Sequence, residues 1–227
     1  MQRSIATLFT VLLAISAVSQ KTLDKFQVKT LKKSNNPHIS KHAYVLSEAV
    51  WRDSPAIYVC WENPSAQYTT DMQLVKQAIT DTWQAASQLE FTGWQACAPR
   101  NAGIRIRIDD SGPHTKGLGR QINGVVDGMV LNFTFQNWSP TCQNNHQYCV
   151  YGIAVHEFGH AIGFAHEQNS PLAPGECQAL RQGGNGDLLL TPYDPHSVMN
   201  YCNQRYNNDG RLSALDTTAV QELYGTR

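Results

Sequence analysis

An α+β domain on a twisted, mixed but mainly parallel five-stranded sheet is what this sequence predicts, and three observations predict it. Five short runs carry strand composition or two-residue alternation, at residues 57–61, 89–94, 104–108, 117–121 and 129–135. Met72, Val75, Ile79, Trp83 and Ala86 recur at helical intervals between the first two runs, as a parallel crossover requires. A second long helix follows the last run, and beyond it regular structure thins out until a closing helix.

The elements follow from the N-terminus. Arg3 precedes an apolar run from Ile5 to Ile15, and Ala17-Val18-Ser19 offers small residues at a cleavage site before Gln20, so residues 1–19 read as a signal peptide. The run falls short of the ~20 residues that span a bilayer, and no later stretch approaches that length. The chain is therefore expected to be secreted, without a membrane span. Residues 20–42 are Lys-rich and polar, broken by Asn35-Asn36-Pro37, and read as a short propeptide or N-terminal tail. Asp24, His38 or plain steric cover are the candidates for holding such a zymogen silent. Residues 43–227 are left for one catalytic domain, with no internal repeat or linker to divide them.

The strand at 57–61 is stopped by Asn63-Pro64, and Thr70-Asp71-Met72-Gln73 resembles a capping box opening a helix of about 17 residues. Arg105 and Arg107 alternate with Ile104, Ile106 and Ile108, which makes them a solvated strand face more cheaply than a basic patch. Residues 117–121 suit an edge strand, to which an extended peptide can add by main-chain hydrogen bonds. Residues 129–135 alternate as an inner strand, and 150–155 lead into the second helix. The stretch Gly183-Gly184-Asn185-Gly186-Asp187 is read as a turn, since one carboxylate makes a poor calcium cage. Ser213-Ala214-Leu215-Asp216 starts the final helix, with Leu215, Ala219 and Leu223 as its buried face and Gly225 as its end.

Eighteen basic and eighteen acidic residues cancel, without any long basic run, which argues against nucleic acid and anionic membranes as partners. Six cysteines in an exported chain read as disulfides. Six permit fifteen pairings; the pairing expected is Cys60 with Cys97, Cys142 with Cys149, and Cys177 with Cys202.

The chemistry is concentrated in one run, HEFGHAIGFAH. On a helix His156 and His160 share a face and can present ring nitrogens to one zinc ion, with Glu157 one residue round. Gly163 can turn the backbone sharply, so that His166 swings back as a third ligand. Three protein ligands leave a position open, as in a catalytic zinc site. Glu157 is then the general base that activates zinc-bound water. No GxSxG elbow competes for the catalytic role. His38, His42, His114, His146 and His196 lack ligand spacing and read as surface residues.

These residues resemble the metzincin clan of zinc endopeptidases, and most closely its astacin family. The clan's HExxHxxGxxH is matched from His156 to His166, Glu167 is the astacin choice after the third histidine, and Tyr193-Asp194 with Ser197-Val198-Met199-Asn200-Tyr201 is similar to the astacin Met-turn. Ser170 stands where that family usually has arginine, and residues 212–225 are also similar to matrixins. The resemblance implies a metzincin-like fold, with two long helices above the zinc cleft, an upper subdomain of about 43–166 and an irregular lower one of about 167–227. It implies Met199 as a hydrophobic base beneath the metal, Tyr201 as a labile fifth ligand and oxyanion donor, and Glu167 in contact with the mature N-terminus. The expected protein is a monomeric, secreted, zinc-dependent endopeptidase with one catalytic Zn2+, acting on protein or peptide substrates. A matrixin-like metalloprotease and a non-catalytic, zinc-containing binding module are the alternatives.

Overall fold

The β-branched run at 57–61 becomes a strand near the middle of a five-stranded sheet in the computed structural model, which describes residues 43–52 and 56–227. All of these fall in one compact unit. The expected signal peptide at 1–19 and propeptide or tail at 20–42, with His38 and His42, lie outside the described residues. After a short β1 (Tyr44–Val45) come β2 (Ala56–Trp61), β3 (Glu90–Ala96), β4 (Ile104–Ile108), β5 (His114–Thr115) and β6 (Met129–Leu131). Their order across the sheet is β3-β2-β4-β6-β5, parallel throughout except for β5, which runs antiparallel along β6 at the edge. A further strand, β7 (Leu188–Leu189), pairs with β1.

Helix α1 (Thr69–Ile79) supplies the crossover from β2 to β3 and continues as a π-helical turn at Thr80–Gln84. It buries Val75, Ala78, Ile79 and Trp83, four positions on one side at the expected spacing. The expected capping box does not form. The helix starts behind Tyr68 without a side-chain cap, and the Asp71 carboxylate instead meets His146 Nε2 at 2.8 Å. Trp83, within the π turn, donates from Nε1 to Val155 O at 2.8 Å and stacks on Phe164, which fastens α1 to the second long helix.

That helix, α3 (His146–Ala161), follows the short α2 (Pro140–Asn144) and is buried almost all round from Cys149 onward, as a helix that is apolar on every side must be. Its last carbonyls find side-chain donors: Trp51 Nε1 reaches Ala161 O at 2.8 Å, and the Tyr224 hydroxyl reaches Ile162 O at 2.6 Å. Beyond it lie α4 (Gly175–Gln178) and α5 (Ala214–Tyr224). All three expected disulfides are present: Cys60–Cys97, Cys142–Cys149 and Cys177–Cys202. No helix among the described residues is long and apolar enough to cross a membrane.

Three further expectations need correction. Arg105 is buried rather than solvated, its guanidinium forked onto Glu62 at 2.7 and 3.1 Å, while Arg107 on the same face stays exposed. Residues 117–121 form no strand: the edge strand is the two-residue β5 just before them, and Gly119–Ile122 make a 3-10 turn. In α5 the buried face is Asp216, Ala219, Val220 and Tyr224, one residue round from the expected Leu215 and Leu223. Asp216 turns inward because it caps its own helix with Ser213 and also accepts from Ser197 Oγ at 2.7 Å and Val198 N at 2.9 Å.

Candidate metal centre

Helical spacing puts His156 and His160 one turn apart on α3, both buried. The helix ends at Ala161, and Gly163 then takes φ 106°, a left-handed value that side chains disfavour, so the chain reverses and delivers buried His166 to the same point. His166 Nε2 lies 3.2 Å from His156 Nε2 and 3.2 Å from His160 Nε2. The opposite nitrogens all face backbone carbonyls: His156 Nδ1 meets Val198 O at 2.8 Å, His160 Nδ1 meets Phe164 O at 2.8 Å, and His166 Nδ1 meets Gln182 O at 2.9 Å.

This arrangement fits a zinc ion. A carbonyl accepts only, so each Nδ1 must carry a proton and each neutral ring presents an unprotonated Nε2. Two such atoms cannot hydrogen-bond to one another, and their lone pairs repel unless a cation lies between them. Tetrahedral zinc with Zn–N bonds of about 2.0–2.1 Å sets neighbouring nitrogens about 3.3–3.4 Å apart, close to the two separations from His166, and all three ligand atoms lie within 4.8 Å of one another. The three rings are the one group of histidines, cysteines and acids among the described residues whose ligand atoms converge in this way. Burial, helped by the neighbouring His166, pushes His156 down to about 3, and burial also lowers His160 and His166. All three rings are thus neutral and ready to ligate at pH 7.

Glu157 is buried, its Oε2 has no hydrogen-bond partner, and burial pushes its carboxyl up to about 8. A cation held beside it would pull that value down. Glu157, His160 and His166 line a cleft of about 550 Å3, whose other walls include β5, Gln182 to Asn185, and Tyr201. The Tyr201 ring stacks on His156 at 5.1 Å and tilts against His166 at 4.5 Å, while burial raises its hydroxyl above the ordinary tyrosine range. Glu167 is buried too. Its Oε1 accepts from Asp194 N at 2.8 Å, so among the described residues it meets a backbone amide rather than an amine, and burial pushes it up to about 9.

The expected site residues are thus brought together, and the remaining described histidines are not. His114 is exposed on the β5 wall of the same cleft, its Nδ1 2.8 Å from Gly112 O, and does not join the three ligand atoms; His196 is exposed, and His146 is occupied by Asp71. Three contributors escaped the sequence reading. Gly159 is one: a Cβ there would lie 2.3 Å from Met199 Sδ, so only glycine lets the buried Met-turn approach the helix. Gln168 accepts from Tyr201 N at 3.0 Å, and Asn169 grips the segment that meets His166. The glycine sits between two ligands and was the legible one; the two amides depend on distant partners.

Comparison with known proteins agrees with this geometry. A family model described as dual-action HEIGH metallo-peptidase matches residues 28–224. No curated protein matches the chain. Among solved structures, myroilysin aligns with a TM-score of 0.56 at 19% identity, covering 81% of this chain and 99% of its own. The high choriolytic enzyme 1 of the medaka fish Oryzias latipes, a hatching enzyme zinc-protease, aligns with a TM-score of 0.52 at 19% identity, covering 80% and 96%. Identity this low speaks for the fold, which is the metzincin one the sequence resembles.

Proposed function

The chain belongs to the dual-action HEIGH metallo-peptidase family, and from that premise we propose a secreted endopeptidase in which His156, His160 and His166 hold the zinc ion and Glu157 moves the proton. Family membership makes it a zinc metallopeptidase, which sets aside the non-catalytic binding module. Phe158 fills the place of the isoleucine in the family's HEIGH label, packed against Phe91 and Trp94. The observation that carries the reading is the convergence of three unprotonated nitrogens beside a buried carboxylate with one oxygen unfilled.

Zinc, when bound, supplies Lewis acidity that polarises a peptide carbonyl and acidifies water. The protein supplies the rest. Glu157 Oε2 accepts a proton from the attacking water as the C–O bond forms, then returns it to the nitrogen as the C–N bond breaks, leaving an amine and a carboxylic acid, whose remaining proton passes to the amine to give ammonium and carboxylate. Tyr201 would donate to the oxyanion and serve as a labile further ligand, a reading supported by its backbone contact to Gln168 and its ring stacking on His156. Among the described residues β5 pairs only with β6, so its outer edge can take an extended protein segment as a further strand. Three disulfides fit an oxidising compartment, in keeping with the N-terminal signal pattern.

The test is casein cleavage by the zinc-loaded protein, with and without chelator, beside Glu157→Ala and His166→Ala. Wild type should cleave, chelator should abolish cleavage, and Glu157→Ala should lose activity while retaining one zinc. A Glu157→Ala protein as active as wild type would remove the carboxylate from the reaction.

A further inference from the structure

The acceptors that orient the three rings are not equally secure. Val198, which serves His156, is buried in the Met-turn, and Phe164, which serves His160, is buried just past the end of α3. Gln182, which serves His166, lies in an exposed stretch at 181–185 with no regular structure. A carbonyl in such a stretch cannot by itself hold an imidazole to the few tenths of an ångström that metal ligation requires.

We propose that Asn169 is the positioning residue of the metal centre, clamping the Gln182 peptide so that its carbonyl fixes the His166 ring. The reading rests on His166 as third ligand. Asn169 is buried. Its Oδ1 accepts from Gln182 N at 3.1 Å and its Nδ2 donates to Gln182 O at 2.8 Å, so one amide holds both polar groups of one residue. The same Nδ2 lies 3.1 Å from Gly184 O and 3.2 Å from Asn185 Oδ1, extending the grip along the cleft wall. Gln182 O thereby receives two donors, Asn169 Nδ2 and His166 Nδ1, one for each lone pair. Donors stand on one side of the amide and acceptors on the other, which fixes its orientation and makes Asn169→Asp the informative change. A carboxylate of the same shape keeps the acceptor for Gln182 N but turns a donor into an oxygen facing three oxygens.

The experiment compares wild type, Asn169→Asp, Asn169→Ala and His166→Ala as full chains. It measures zinc affinity by competition with a chromophoric chelator, the visible spectrum after cobalt substitution, and the thermal midpoint of the metal-free protein. Outer partners of ligating histidines typically contribute 10- to 100-fold in metal affinity, so both Asn169 variants should bind zinc roughly that much more weakly, with an altered cobalt spectrum. Asn169→Ala guards against the case in which the aspartate variant does not fold. Zinc affinity within threefold of wild type in a folded Asn169 variant overturns the proposal, as does a lowered metal-free midpoint with affinity and spectrum unchanged. If His166→Ala itself binds zinc as wild type does, the ligand assignment fails, and that outcome is separate from the failure of Asn169.

Discussion

Replacing Gly159 by alanine tests how tightly the Met-turn is pressed against the ligand-bearing helix. The new Cβ would stand 2.3 Å from Met199 Sδ, 3.1 Å from its Cε and 3.1 Å from Trp83 Cζ2. Nonbonded heavy atoms settle near 3.5–4.0 Å, so the sulfur must retreat by more than about 1 Å. Met199 is fully buried, and overpacking of this kind costs about 1–3 kcal/mol. Alanine within a helix returns about 1 kcal/mol relative to glycine, so the net loss in the single variant is about 0–2 kcal/mol. A single measurement therefore says little, and a double-mutant cycle with Met199→Ala isolates the clash. In that background the sulfur is gone, and Gly159→Ala should be neutral or stabilising by up to about 1 kcal/mol. Urea unfolding of the four zinc-loaded proteins gives the coupling energy, expected at about 1–3 kcal/mol. Additivity to within about 0.5 kcal/mol would refute the argument that glycine is required here by close approach.

Tyr201→Phe should lower kcat by about 100-fold while leaving zinc content unchanged, in line with loss of one oxyanion donor; wild-type turnover would remove the hydroxyl from the mechanism. Replacing Cys177 and Cys202 together by serine opens a loop with a sequence separation of 25 that carries the Met-turn and the Gln182 segment. Chain entropy puts the loss at about 3–4 kcal/mol, or about 6–16 °C in thermal midpoint, and a midpoint within 2 °C of wild type would show the loop closed by other contacts. The hydrogen bond from Arg105 holds the Glu62 carboxyl below its ordinary value of 4.5, against the opposing effect of burial. Its contribution is therefore complete above about pH 4.5 and is lost as pH falls through the lower folded-state value. Glu62→Gln should be less stable than wild type by about 1–3 kcal/mol at pH 7, with the gap closing in acid; a gap independent of pH would disprove the linkage.

Local chemistry was legible and distant closure was not. His156, Glu157, His160 and His166 follow from spacing along one helix and one glycine turn, which is why four residues within eleven positions sufficed. β4 was legible in its bounds but not in its burial, because alternation assigns Arg105 and Arg107 to one face and cannot reveal that Glu62 waits across the sheet for one of them. The edge strand was misplaced onto 117–121 because a two-residue β5 is too short to show any period. Asp216 reads as a polar surface position in α5 until Ser197 and Val198 are seen against it, and its inward turn rotates the whole helix face. Asn169 gave no local sign, since its partners lie 13 to 16 positions further along.

The clasp on the last carbonyls of α3 bears on the order in which the end of that helix is completed. Trp51 and Tyr224 reach those carbonyls from opposite sides of the sequence, the tyrosine 62 positions beyond Ile162. During synthesis, every imidazole of the centre therefore leaves the ribosome well before the residue that closes the end of their helix. Until Tyr224 has emerged, His156 and His160 stand on a helix whose closing carbonyl at Ile162 lacks its hydroxyl donor.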